Sequence, residues 1–257
     1  MKKKRFSHYV GIDYSGASHA AARTATIQVY HAEQDAPGQT VRSPASTSKS
    51  RRNWNRRETF EWLKEFLEDH SRVIVGIDHG FSFPLSYFRR YRLSSWDAFL
   101  KDFSQHWPRE PEATVDDFRQ RGTRMGHASD RRTTEEWTSS AKSVFQFDVQ
   151  GSVAKSTHAG LPFLHELRTH LPRVHFWPFD GLSVPANRSV VAEIYPSLVR
   201  NRYPRAGRSP DQQDAYAVCR WLQEMDRQFG LERFFHPPLS PEQQNRAKLE
   251  GWILGVT

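Results

Sequence analysis

A chain of 257 residues has room for one large domain, or for a core domain with sizeable insertions. Its 17 Phe and 8 Trp supply a substantial core, its one Cys excludes an intramolecular disulfide, and no apolar run approaches the roughly 18 residues of a membrane span. The 37 Lys and Arg outnumber the 29 Asp and Glu, giving a net charge of +8, which turns attention to polyanionic partners.

The excess is clustered in the N-terminal tail, in Ser50–Arg57, in Arg89–Arg92, and at Arg200, Arg202, Arg205 and Arg208. Basic clusters with interleaved aromatics suit phosphate neutralisation and base stacking, so nucleic acid (DNA or RNA) is the expected partner. Phe6-Ser-His-Tyr9 breaks off the apolar stretch that a secretory signal would need after Met1-Lys-Lys-Lys-Arg5. With the single Cys, that predicts a cytoplasmic protein with no membrane partner.

The chain opens on a hairpin pattern: a strand over 7–13, a turn at Tyr14–Ser18 and a second strand over 20–31. A basic loop, rich in Pro, Gly and Ser, follows at about 36–55 and is expected to be mobile, with one short strand near Thr40–Arg42. Residues 57–70 carry Phe60, Leu63 and Leu67 at helical spacing, and residues 72–78 form a strand. Strand, helix and strand in that order imply a right-handed crossover and parallel packing. Residues 85–145 read as a helical insertion, its clearest helices at Ser94–Phe103 and Thr114–Gln120. A helix at 158–171, a strand at Arg173–Trp177, another at Val190–Tyr195, a long helix at 210–228 and a last helix near 241–250 complete a single α/β domain over 1–257.

Val-Gly-Ile-Asp closes the first strand, at Val10–Asp13, and closes another at Val75–Asp78; the run Val190–Glu193 also ends on an acid. Open α/β sheets bind ligands beyond the carboxyl ends of their strands, so these acids are expected to share a crevice. The long helix starts with Ser209-Pro-Asp-Gln212, which reads as a capping box that accounts for Asp211 by the helix dipole. Asp214 instead falls on the inward face with Val218, Trp221 and Met225. Asp13, Asp78, Glu193 and Asp214 are the expected catalytic and metal-holding residues, with Asp211 and His79 as secondary candidates. Four carboxylates at one point call for hard divalent cations, Mg²⁺ or Mn²⁺, which can activate water for phosphodiester cleavage. Arg132, Lys142 and Lys155, between the motif-bearing strands, are candidates for a substrate groove.

Four stretches, Val10–Ala17, Val75–Pro84, Val191–Pro196 and Asp211–Ala215, follow one another in an order that resembles the ribonuclease H-like superfamily, and within it the DUF429 family of predicted nucleases. The resemblance implies a ribonuclease H-like mixed sheet with an N-terminal antiparallel hairpin, parallel strands and flanking helices. It also implies a metal-dependent acid cluster, placed at Asp13, Asp78, Glu193 and Asp214. Ribonuclease H itself takes an acid from the helix after the hairpin. Glu61 and Glu65 are the counterparts here, and both read as surface acids. A divalent-metal-dependent nuclease is therefore the expected function. The alternatives are a non-catalytic nucleic-acid binder of the same fold and an actin-like ATP-dependent phosphotransferase. Gly151–Thr157 ends like a phosphate-binding loop but lacks the glycine before Lys155. Cys219 reads as core.

Overall fold

The computed structural model describes residues 4–45, 53–107, 110, 112–122, 124–138 and 140–257. The strands are β1 (His8–Asp13), β2 (Gln28–Glu33), β3 (Gln39–Thr40), β4 (Val73–Asp78), β5 (His175–Trp177) and β6 (Val190–Glu193). The helices are α1 (Arg56–Asp69), α2 (Leu85–Tyr91), α3 (Trp96–His106), α4 (Val115–Gln120), α5 (Thr133–Trp137), α6 (Ala154–His170), α7 (Pro210–Arg227), α8 (Leu231–Phe235) and α9 (Pro241–Glu250). One mixed sheet runs in the order β3-β2-β1-β4-β6-β5. β1 is antiparallel to β2 and parallel to β4, and β4, β6 and β5 continue in parallel. This is the α/β class expected, with the hairpin first and the parallel strands after it.

Both faces of the sheet are covered, which is why β1 and β4 are nearly continuous apolar runs. Val10, Ile12, Val75, Ile77 and Val191 pack with α1 and α6 on one face. Tyr9, Ile74, Val190 and Ala192 pack with α7 on the other. The repeated Val-Gly-Ile-Asp has a packing cause. Gly11 and Gly76 are register partners on the α7 side. A Cβ on Gly11 would overlap the Ala215 carbonyl oxygen, and one on Gly76 would lie 2.7 Å from Val218 Cγ1. The helix therefore sits closer to these strands than any larger residue permits. Gly11→Ala should cost about 1–3 kcal/mol by overpacking, measured by urea unfolding; a midpoint equal to wild type would dismiss this explanation.

α7 starts as the sequence implies. The Ser209 hydroxyl accepts from Gln212 N–H, and the Gln212 side chain accepts from Ser209 N–H. The second hairpin strand departs from expectation: β2 begins only at Gln28. Before it, the Arg23 guanidinium binds Glu58 and the Asn53 carbonyl, tying that segment to the start of α1 instead of to the sheet. The helical insertion is present as α2–α5. Its aromatics, including Phe83, Phe99, Phe103 and Trp107, extend the core rather than lining a groove. Residues 46–52 of the basic loop lie outside the described residues. Among the described residues no helix is long and apolar enough to cross a membrane.

Candidate active site at the strand ends

Asp13 and Asp78 are register partners at the ends of β1 and β4. Side chains alternate along a strand, so both acids follow Gly11 and Gly76 onto the α7 side. α7 brings its first turns over them, with Asp211 and Asp214 half-buried. The Asp13 carboxyl, itself buried, lies close enough to those of Asp78, Asp211 and Asp214 for their charges to act on it. Burial, and then the charges of Asp78, Asp211 and Asp214, push the Asp13 pKa up to about 10. Burial, Asp214 and Glu193 raise Asp78 well above the carboxylate range, against the opposing pull of Arg200. Burial also raises Asp214, while Arg200, 3.6 Å from its Oδ2, works in the other direction.

Asp211, which the sequence explains as a helix-start acid, thus belongs to the carboxylate group as well. Glu193 does not join it. Its register partner is Ile77, not Asp78, so its side chain leaves from the opposite face of the sheet. There Arg132 grips it through Nη1–Oε2 at 2.7 Å and Nη2–Oε1 at 2.6 Å, and Phe81 N–H donates to Oε2 at 3.0 Å. Arg132 also donates from Nε to Glu135 Oε1 at 2.8 Å, and all three side chains are buried. The expectation of Arg132 in a substrate groove is therefore corrected: at 1% exposure it is an internal counter-ion. The pairing joins residues 61 apart in sequence, and only the Arg132/Glu135 spacing hinted at it.

Lys155 is drawn away to Asp116, at 2.5 Å. Lys142 lines a small recess with Asp78 and Tyr195. His79 is buried edge-on to Tyr14, with Nδ1 2.9 Å from the Gly80 carbonyl oxygen. Burial pushes its pKa down to about 4, so it is neutral at pH 7 and packs behind the acids. Glu61 is partly exposed and pairs with Arg57, as a surface acid would. Arg200, at the rim over Asp214, had no sequence signal beyond its place in a basic cluster.

Burial likewise lowers His158, to about 3, in a cage of Phe83, Phe103, Trp107, Phe145 and Phe147. A histidine depressed below its ordinary 6.5 contributes stability that is present above that value and is lost as pH falls toward its folded pKa. His158→Leu should therefore flatten the loss of unfolding free energy between pH 7 and 5, by up to about 1.4 kcal/mol per pH unit. Parallel pH profiles for the two proteins would contradict this.

Among the described residues no three His, Cys, Asp or Glu side chains are already gathered as a metal-holding group. The donor chemistry nevertheless fits a hard divalent cation: Asp13, Asp78, Asp211 and Asp214 offer only carboxylate oxygens, and their crowding favours any positive charge placed between them. Comparison with known protein families, with characterised proteins and with solved structures finds no match.

Proposed function

We propose that the chain is a divalent-metal-dependent nuclease that hydrolyses phosphodiester bonds of DNA or RNA. The observation that carries this reading is the convergence of Asp13 and Asp78 from adjacent strand ends with Asp211 and Asp214 from the start of α7. Crowded acids that raise one another's proton affinity are held at a cost, which a ligand of opposite charge removes. Asp13, Asp78 and Asp214 would hold Mg²⁺ or Mn²⁺, with Asp211 completing the set. When bound, such an ion supplies Lewis-acid activation of water and stabilises charge on the leaving oxygen. The chain's own residues hold the acids on a rigid sheet and keep Arg200 at the rim, where a phosphate would arrive. Glu193 serves through Arg132 and Phe81, fixing the turn after β4. This places the reading beside the DUF429-like resemblance while exchanging Glu193 for Asp211.

The test is cleavage of labelled DNA and RNA oligonucleotides with Mg²⁺ or Mn²⁺. Wild type is expected to cut, and Asp13→Asn and Asp78→Asn to lose at least about a hundredfold in rate, with unchanged circular dichroism. Undiminished cutting by Asp13→Asn would remove the assignment.

A further inference from the structure

Two large apolar side chains, one on α5 and one just beyond β6, are left in water. Trp137, at the end of α5, is 42% exposed, and Leu198, five residues beyond Glu193, is also 42% exposed. Exposure of an indole at this level is unusual for a side chain that has a partner available. Trp137 has one: it meets the buried Trp252 edge-to-face, with ring centroids 5.3 Å apart and planes at 78°. That geometry holds the indole in place and leaves a face for something else. The next residue, Ile253, lines the recess shared by Asp78, Lys142 and Tyr195, and its N–H is bonded to Thr134 at the start of α5. The exposed ring is therefore tied, through Trp252 and Ile253, to a recess that Asp78 also lines.

Lys142 lines the same recess as Ile253. Arg200, 47% exposed, meets Asp214 at 3.6 Å. A rigid indole beside cations, leading to carboxylates, complements a ligand with flat apolar groups joined by anionic ones. Unstacked bases on a phosphate backbone have that chemistry, and bases in a duplex do not offer their faces.

We propose that Trp137 is a stacking platform for a base, and that the substrate class of this crevice is single-stranded nucleic acid. The proposal rests on the nuclease reading for the chemistry that follows binding, but binding itself needs no cleavage. A single strand would lay one base on Trp137, with phosphates at Lys142 and Arg200 and a neighbouring linkage at the acids.

The test is fluorescence anisotropy in EDTA with the full chain, using a labelled oligothymidylate of about 12 nucleotides and a duplex of the same length. The single strand should bind at least about tenfold more tightly than the duplex. Trp137→Ala should weaken it by about tenfold, and Trp137→Phe should restore most of that loss. Arg200→Gln should lower the salt dependence, whereas Trp137→Ala should not. Equal binding of strand and duplex, or no effect of Trp137→Ala, would overturn the stacking platform while leaving the nuclease reading intact. Binding to neither nucleic acid would overturn both. A dimer by light scattering that Trp137→Ala dissociates would assign the indole to a second copy of the chain, and the platform would fall.

Discussion

Glu193→Ala should destabilise the protein by about 3 kcal/mol or more, because it strands a buried cation. Arg132 is 1% exposed and directs two of its nitrogens at the Glu193 oxygens, at 2.7 and 2.6 Å. Glu135 would remain as a partner at Nε, so the loss belongs at the low end of the range for breaking a buried pair. The Phe81 N–H would also lose its acceptor. That matters beyond stability, since Phe81 lies in the turn directly after Asp78. Urea unfolding in EDTA measures the effect without any metal contribution. A metal ligand behaves differently: its removal would leave the metal-free protein as stable as before, or more so, and would weaken the response to Mg²⁺ or Mn²⁺. An unchanged urea midpoint together with a weakened metal response would return Glu193 to the acid cluster.

The sequence made Asp13 and Asp78 visible because each ends a strand whose alternation is punctuated by glycine. Asp214 was visible through helical phase, as an acid among Val218, Trp221 and Met225. What it hid was the face. Val190-Val-Ala-Glu193 has apolar residues on both sides, as buried parallel strands do, so no alternation says which way its last side chain points. A one-residue difference in register, Glu193 opposite Ile77 rather than Asp78, decides it. The same limit explains Arg132. It lies in an irregular segment, and its partners come from β6 and the turn of α5, so only tertiary structure reveals that it is buried. β2 starts later than its sequence implies for a related reason. Residues 20–27 have strand-like composition, but Arg23 finds a better bond at Glu58 than the sheet edge offers. α2, α5 and α8, at 7, 5 and 5 residues, are too short for periodicity to declare them.

Asp13→Asn is expected to have the opposite effect on stability from Glu193→Ala. The folded protein raises the Asp13 pKa from 3.8 to about 10 by burial and by the charges of Asp78, Asp211 and Asp214. A group whose folded pKa is raised contributes stability that is fully present below 3.8 and is lost progressively as pH rises toward the folded value. Removing the charge should therefore stabilise the metal-free protein at pH 7 by about 1–3 kcal/mol, a figure discounted for relaxation of the partly exposed neighbours. The gain should vanish below pH 4 and grow toward pH 8. Added Mg²⁺ or Mn²⁺ should reverse the order, because an ion that binds only the folded wild type stabilises it by mass action, while the variant has lost a ligand. Crossing stability curves, with the variant ahead in EDTA and wild type ahead in metal, are the signature of acids kept together for a cation and not for the fold. If Asp13→Asn is the less stable protein in EDTA at pH 7, Asp13 is a satisfied structural acid. The crevice then loses its central ligand and the proposed chemistry with it.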